Sequence, residues 1–391
     1  MSKIVDNSIK FIVGERALEN LPYEIKLAGC SKPMLMCDDM SNRLGLKKSL
    51  LKAFDGSDMD IEFIDQKVGD VATCDDVERI IREYNSSNCD CIILLGKKAV
   101  VSVGKASKIM IKDGSFVVAQ YDGKALSDLP VKEVPLFVIP AYLGSGIECS
   151  NKVRIYSKDQ KTIYEFDSVY AQTDAVIIDV RMTDIMPPKS IASYGFFALA
   201  MAVDGYLKSD ERIYTKPYSM TSIEILGKYL MKGILHNADK VARRELLTAV
   251  VVAGCGYFLI EKQLLAVLSD VISDRYKVNH ANIMAILFRH YIKMTKLNKD
   301  LLGELLPSFV SIEEYAQIQD DQAVDVVLAK INNMYEQVDE YVDYNKSLRS
   351  FGIQKSDFPS IAEEAIASVD YKDRTEEYSY SFIINLLEES Y

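Results

Sequence analysis

Short apolar runs and helix-period patterns alternate through the first 179 residues of the chain. Residues 34–37 and 91–95 are wholly apolar, as strands buried on both faces of a sheet are. The predicted strands are residues 11–13, 34–37, 61–64, 91–95, 116–119, 135–139 and 175–179, with a hairpin at 153–156 and 162–165. The predicted helices between them are residues 17–27, 46–54, 75–85 and 100–111. Strands separated by helices predict a parallel sheet built from βαβ units.

After residue 179 the pattern changes to long helical stretches without convincing strands. The sequence therefore predicts an α/β chain with two domains: a Rossmann-like domain at residues 1–179, followed by an all-helical domain at residues 180–391. The helical part is organised around residues 187–207, PPKSIASYGFFALAMAVDGYL. Almost every residue from Ile191 to Val203 is apolar or small, which predicts a buried central helix with Ser190 as its N-cap. We expect that apolar run to be too short to cross a membrane.

Composition narrows the class of protein. The net charge of the 391 residues is −11, which argues against a nucleic-acid or anionic membrane partner. The opening residues, MSKIVDNSIK, lack the apolar run of a signal peptide, and the uncharged run at 246–260 has the length of a core helix. The seven cysteines form no CxxC pair, and Cys89-Asp90-Cys91 alone is weak evidence for a metal. We expect reduced structural thiols and a cytoplasmic location.

The stretch at 187–207 also resembles the metal-binding helix of the iron-containing alcohol dehydrogenase family, which has a dehydroquinate synthase-like fold. That family has two prolines, a spacer and then Gly-x-Asp-Ala-Leu-x-His-Ala-x-Glu. The chain keeps the prolines and the scaffold positions Gly195, Ala198, Leu199, Ala202 and Asp204. Landmarks of this resemblance cover nearly the whole chain. It implies a nucleotide-binding domain, a metal-binding helical domain and NAD(P)-dependent oxidation of alcohols or reduction of aldehydes.

The resemblance implies four metal ligands, and only one matching position keeps a ligand residue. Phe197 and Met201 stand at the Asp and His of the helix, although their i, i+4 spacing would suit two ligands. Ala266 stands at the third ligand, and Asp270 at an additional histidine that many members carry. His280, in Asn-His-Ala, matches the fourth ligand. Because iron and zinc need three or four protein donors, we expect no metal at these positions and a hydrogen-bonded role for His280.

The first nucleotide motif that the resemblance implies is Gly-Gly-Gly-Ser-x-x-Asp-x-Ala-Lys, whose glycines admit a pyrophosphate to a helix N-terminus. The matching positions are Gly96, Lys97, Lys98, Ser102 and, at the end, Lys105. Two lysines replace two glycines. Either the lysines grip phosphate with their charges, or they form a solvated turn that remained after cofactor contacts were lost, which we favour.

The second nucleotide motif in the family is Pro-Thr-Thr-Ala-Gly-Thr-Gly-Ser-Glu. The chain keeps the turn glycines Gly144 and Gly146, with Ser145 between them, but Tyr142 replaces a threonine. Kept glycines report backbone geometry, which a fold needs even without a ligand. Asp38 matches the family's aspartate that faces the adenosine ribose, a weak signal on its own.

These losses lead to a specific hypothesis on function. We expect a catalytically impaired member of the family without iron or zinc, with weak NAD(P) binding at best and no required cofactor. It would act as a binding or regulatory homologue, with a small molecule in the cleft between the domains, or with a second copy or a paralogue as partner. The alternative is an active NAD(P)-dependent oxidoreductase with an altered, metal-independent site. A purely structural subunit is a third possibility.

Overall fold

A computed structural model describes most of the chain: residues 9–64, 68–123, 125–126, 134–208, 214–236, 238–260, 263–295, 299–344, 346–369 and 376–391. Residues 1–8, which include most of the segment tested for a signal peptide, lie outside this described part. The chain forms two compact units, Met1–Met186 and Pro187–Tyr391. The first unit extends past the end of the last strand, near which the sequence placed the boundary, because a short 3-10 segment, Val180–Thr183, follows that strand.

The first unit is built on a six-stranded parallel sheet in the order β1-β9-β6-β4-β2-β3. Its strands are β1 (Lys10–Gly14), β2 (Pro33–Cys37), β3 (Glu62–Phe63), β4 (Cys91–Gly96), β6 (Leu136–Pro140) and β9 (Ala175–Asp179). A smaller sheet in the order β5-β8-β7 contains β5 (Ala125–Leu126), β7 (Lys152–Ser157) and β8 (Thr162–Ser168), with β7 and β8 antiparallel. The parallel sheet and the hairpin confirm the prediction from the alternating pattern.

Helices cover the sheet in the first unit and make up most of the second. The helices of the first unit are α1 (Leu21–Leu27), α2 (Asp39–Arg43), α3 (Leu46–Lys52), α4 (Cys74–Ser86) and α5 (Lys98–Asp113). Those of the second unit are α6 (Pro188–Leu207), α7 (Thr215–Leu235), α8 (Lys240–Tyr257), α9 (Leu264–Tyr276), α10 (His280–Met294), α11 (Lys299–Gly303), α12 (Ile312–Tyr315), α13 (Ala323–Tyr341), α14 (Phe358–Ala367) and α15 (Tyr380–Glu389). The predicted fold class, a Rossmann-like α/β part followed by a helical part, is confirmed.

The wholly apolar runs form the wholly buried strands. All residues of β2, β4, β6 and β9 are buried, whereas β1 is partly exposed at the edge of the sheet. In the second unit, every residue of α6 from Ile191 to Leu207 is buried, and α7, α8 and α10 pack around this helix. The central, buried position predicted for α6 is therefore correct.

Three details differ from the prediction. Residues 116–119 do not form a strand; Val118–Tyr121 is a 3-10 turn, because Tyr121 folds back, donating to Asp113 Oδ2 at 2.5 Å and packing on Phe166. The N-cap of α6 is Pro187 rather than Ser190, since the fixed φ of Pro188 suits the first helical position.

The helix α6 has 20 residues, so it is long and apolar enough to span a membrane by length and composition alone, contrary to the expected shortness. However, 94% of its apolar window is buried inside the protein, as in a core helix.

Candidate functional site

The helical unit brings His280 and Asp270 together. Helix α9 ends at Tyr276, its C-cap Lys277 adopts a left-handed φ of 56°, and α10 begins at His280 after a short turn. The two helices pack side by side, and His280 Nδ1 lies 2.9 Å from Asp270 Oδ1. Their side chains are 15% and 19% exposed. A carboxylate at Nδ1 orients an imidazole and points Nε2 away, so Nε2 is the nitrogen through which a proton would be exchanged.

Asn279 fixes the start of α10. Its Oδ1 accepts a hydrogen bond from Ala281 N at 2.9 Å, and its Nδ2 donates to Tyr194 Oη in α6 at 3.0 Å. His280 meets α6 as well, because the ring of Phe197 lies edge-on to the imidazole at 5.5 Å between centroids. The position of His280 is therefore defined on three sides, by the turn, by Asp270 and by α6.

Apolar atoms occupy the other positions at which the resemblance implies metal ligands. Phe197 is 2% exposed and Met201 is fully buried. Ala266, in α9, is half-buried and has only a methyl group to offer. The structure therefore joins His280 to Phe197 and Asp270, an arrangement of imidazole, phenyl ring and carboxylate.

In the first unit, Asp38 and Gly96 meet at the carboxyl ends of β2 and β4. Asp38 Oδ1 accepts from Ser41 N at 2.6 Å and caps α2, while Oδ2 accepts from Lys97 N at 3.1 Å. A Cβ at Gly96 would stand 2.7 Å from Asp38 Oδ2 and 2.8 Å from Val100 Cγ2. The close approach of Asp38 thus accounts for this glycine, and both carboxylate oxygens bind the protein's own backbone.

Lys97 and Tyr142 lie against each other beside this loop. Lys97 Nζ is 3.1 Å from Asp70 Oδ1 and 5.1 Å from the centre of the Tyr142 ring. Tyr142 is buried and has a φ of 62°, a strained backbone conformation for a bulky residue. Lys97 is thus held by a carboxylate and a ring, and its role towards phosphate stays a prediction. Lys98 begins α5, whose N-terminus has no side-chain cap.

The second nucleotide motif forms a tight turn that is held by hydrogen bonds to buried side chains. Gly144 and Gly146 have φ values of 84° and 74°, and Glu148 accepts from Ser145 N at 3.2 Å and from Ser145 Oγ at 2.8 Å. Lys105 is fully buried in α5, and its Nζ donates to the carbonyl oxygens of Ile147, at 2.5 Å, and of Ser150. Ser102 is also buried in α5. Lys105 therefore supports the turn and does not point to solvent.

Two family models match the chain. The model of the iron-containing alcohol dehydrogenase matches residues 8–180, and the model of the C-terminal part of the Fe-containing alcohol dehydrogenase family matches residues 191–391. The chain belongs to the iron-containing alcohol dehydrogenase family. The family that the sequence resembled is thereby confirmed, and its members are oxidoreductases.

Individual relatives agree over nearly the full length. Lactaldehyde reductase of Escherichia coli is 24% identical over 91% of this chain and 91% of its own. A crystal structure of 1,3-propanediol oxidoreductase has a TM-score of 0.87 at 18% identity and covers 100% of both chains. Sulfoacetaldehyde reductase of Bifidobacterium kashiwanohense, solved in complex with NAD⁺, has a TM-score of 0.82 at 15% identity and covers 100% of this chain and 99% of its own.

The expectation that this protein has no cofactor, with no iron or zinc and weak NAD(P) binding at best, is wrong. The chain belongs to an iron-containing family, and a structural relative that spans its whole length was solved with NAD⁺. In addition, Cys30, Asp90 and Cys91 place possible metal-ligand atoms within 4.8 Å of one another. The prediction was wrong because it rested on the positions of the family motifs and took Cys89-Asp90-Cys91 as weak evidence for a metal.

Within this family, the residues of the chain fit the two cofactors unequally. Phe197 and Ala266 have no donor atom, and the soft thioether of Met201 suits an iron site of nitrogen and oxygen ligands poorly, so the ligand positions of the family do not fit the metal. The β4–α5 end fits a dinucleotide better. The N-terminus of the 16-residue helix α5 has no side-chain cap, Lys98 adds positive charge, and the turn with Gly144 and Gly146 is kept. The roles assigned to individual nucleotide-site residues remain predictions.

The pairing of His280 with Asp270 was not predicted from the sequence. Asp270 stands where many members have an additional histidine, outside the four ligand positions, and no role was predicted for it. Asp270 lies in the middle of α9, and His280 is the first residue of α10. The available signal was Asp270, a carboxylate at a position where many members have a histidine, in a chain that keeps His280.

Proposed function

We propose that this protein is an oxidoreductase of the alcohol–aldehyde class in which His280, oriented by Asp270, exchanges a proton with the substrate oxygen. The distance of 2.9 Å between His280 Nδ1 and Asp270 Oδ1 carries the proposal. Interconversion of an alcohol and a carbonyl compound moves one hydride and one proton. A bound nicotinamide would supply or take the hydride, whereas the proton needs an acid–base group on the protein.

The chain's own residues divide this work. In the direction of reduction, His280 Nε2 donates a proton to the oxygen of the carbonyl group, and Asp270 stabilises the orientation of the ring and its charged form. Asn279 sets the position of His280 by capping α10 and bonding to Tyr194. In the other unit, the N-terminus of α5 with Lys98, and the turn with Gly144 and Gly146, would hold the dinucleotide phosphates.

The test is a steady-state assay of reduced-nicotinamide oxidation with NADH and NADPH and a panel of small aldehydes. Lactaldehyde and sulfoacetaldehyde belong in the panel because relatives are named for them. We expect His280→Gln to lower kcat about 10²–10⁴-fold, the usual contribution of a general acid or base. Asp270→Asn should lower kcat with little change in KM and shift its pH profile. His290→Gln, on the same helix, is the matched control and should keep the wild-type rate.

A wild-type rate in His280→Gln would contradict the proposal. So would dinucleotide binding by the wild-type protein without turnover of any aldehyde or alcohol in the panel. The second outcome would favour another candidate function, a catalytically impaired binding or regulatory homologue. The burial of Phe197 and Met201 on α6 favours that candidate, because packed side chains occupy two positions at which the family has metal ligands. A second copy or a paralogue as partner, and a cytoplasmic location, are further parts of this proposal.

A further inference from the structure

Three potential metal ligands meet in the first unit, at the start of β4. The parallel register pairs Pro33 of β2 with Cys91 of β4, which brings the segment before β2 next to the beginning of β4. Cys30, in that segment, thereby reaches Asp90 and Cys91. One ligand atom from each of these three residues lies within 4.8 Å of the others, and both cysteines are buried.

Hydrogen bonds fix the carboxylate of this cluster. Asp90 Oδ2 accepts from Ser31 N at 2.7 Å and from Ser31 Oγ at 3.2 Å, and Oδ1 accepts from Lys32 N at 2.9 Å. Cys30 Sγ lies 3.5 Å from the carbonyl oxygen of Asp90. Such outer-shell bonds hold a ligand group in place before a metal arrives and tune its basicity.

A separate observation points to a missing neighbour at the same place. Tyr84 is 2% exposed, and its hydroxyl has no hydrogen-bond partner among the described residues. Burial raises the pKa of Tyr84, with Cys91 and Asp90 nearby, so the phenol stays neutral and is a hydrogen-bond donor. An unpaired buried hydroxyl is destabilising. A thiolate sulfur bound to a cation next to it would be a suitable acceptor.

We propose that Cys30, Asp90 and Cys91 bind a zinc-type divalent cation, separate from the metal positions on α6 and α9. Two sulfurs and one carboxylate oxygen suit Zn²⁺ and Co²⁺, whereas Mg²⁺ and Ca²⁺ need oxygen ligands throughout. Ligand atoms around a tetrahedral zinc lie roughly 3.3–3.8 Å apart, for bonds of about 2.0–2.3 Å. The cluster therefore needs only a small contraction to close on the cation.

Binding exchanges two protons for one cation. Cys30 and Cys91 enter the site as thiols and bind the cation as thiolates, the form of cysteine that ligates metals. Each thiol loses its proton to the buffer as its sulfur–metal bond forms. No oxidation of sulfur is involved.

The experiment is titration of the full-length, reduced protein with Co²⁺, followed by displacement with Zn²⁺. We expect a near-ultraviolet cobalt–thiolate charge-transfer band that saturates at one equivalent and disappears with Zn²⁺. Cys30→Ala and Cys91→Ala should abolish the band. Tyr84→Phe should weaken binding about 10–100-fold, as loss of an outer-shell partner typically does. Cys255→Ala removes a buried cysteine of the other unit and is the matched control, which should keep the band.

Two results would overturn the proposal. One is absence of the band in the wild-type protein at stoichiometric Co²⁺, and the other is an unchanged band in the Cys30→Ala or Cys91→Ala variant. If either alanine variant does not fold, as judged by its thermal melt, Cys30→Ser and Cys91→Ser serve the same test, since an alcohol oxygen does not replace a thiolate for these ions.

Discussion

At the scale of single residues, Lys105 shows how one buried cation supports a whole turn. Its Nζ bonds to two backbone carbonyls of the motif that contains Gly144 and Gly146. Burial lowers its pKa from an ordinary 10.5 to about 8, although Cys149 and Glu148 oppose the shift. Because the pKa of Lys105 is lower in the folded protein than in the unfolded chain, the free energy of unfolding depends on pH.

The direction of that dependence follows from proton binding. Between about pH 8 and 10.5 the unfolded chain holds the Lys105 proton while the folded chain has released it, so the free energy of unfolding rises with pH in this window. Across this window the free energy of unfolding rises by about 3 kcal/mol, since each unit of pKa shift corresponds to about 1.4 kcal/mol. Urea denaturation of wild type and Lys105→Met across the window measures it. The difference in stability between the two proteins should grow with pH; a constant difference would mean that Lys105 has an ordinary pKa.

Phe197 and Met201 allow a direct test of the packing of α6. Replacing them by ligand residues, Phe197→Asp and Met201→His, should destabilise the protein. Loss of large buried side chains costs about 2–5 kcal/mol each, and an unpaired buried polar group adds roughly 1–3 kcal/mol. Thermal and urea melts measure the change, with the apolar pair Phe197→Leu and Met201→Leu as the matched control. Unchanged stability of the polar double variant would show that these positions are open and hydrated.

At the scale of elements, a buried charge network joins α6, α10 and the segment before α15. Lys208 Nζ lies 2.7 Å from Asp204 Oδ1 and 3.4 Å from Glu377 Oε2, while Tyr291 Oη donates to Asp204 at 2.9 Å. Burial raises the pKa of Asp204. Although burial acts to lower the pKa of Lys208, the two carboxylates outweigh it and raise that pKa. The lysine therefore remains charged, and it is the cation that makes two buried carboxylates tolerable.

We expect Lys208→Met to destabilise the protein by about 3–5 kcal/mol, because it leaves buried carboxylates without a cation. The control is Lys216→Met, which breaks the exposed pair with Glu304 and should cost about 0–1 kcal/mol. Denaturant midpoints of the two variants provide the comparison. Equal effects would contradict the assigned role of the network.

Elements were predictable wherever local pattern and tertiary burial agree. The apolar runs that became β2, β4, β6 and β9 could be found because a strand buried on both faces needs no alternation. Residues 116–119 are also wholly apolar, but they form no strand, because the contacts of Tyr121 with Asp113 and Phe166 decide their conformation. Contacts between distant residues override propensity there.

At the scale of the whole molecule, the two-part fold followed from the hydrophobic pattern and the family from its motifs, whereas the candidate sites could not be predicted. The spacing located His280, but not its carboxylate, since Asp270 has meaning only once α9 and α10 lie side by side. Cys30 carried no signal at all, because its nearness to Cys91 arises from the pairing of β2 with β4. The loss of the family motifs could be seen in the sequence, but the side chains that form the candidate sites could be found only from the structure.

The most direct test of His280 as the proton-transfer group is rescue of a His280→Ala variant by added imidazole. Initial rates of reduced-nicotinamide oxidation with the best aldehyde would be measured at increasing imidazole, with wild type in parallel. We expect kcat of the variant to be about 10²–10⁴-fold lower than that of wild type. Added imidazole should raise the rate of the variant to a plateau and leave the rate of wild type unchanged. A wild-type protein without turnover, or a variant that binds the dinucleotide normally and is not rescued, would contradict it.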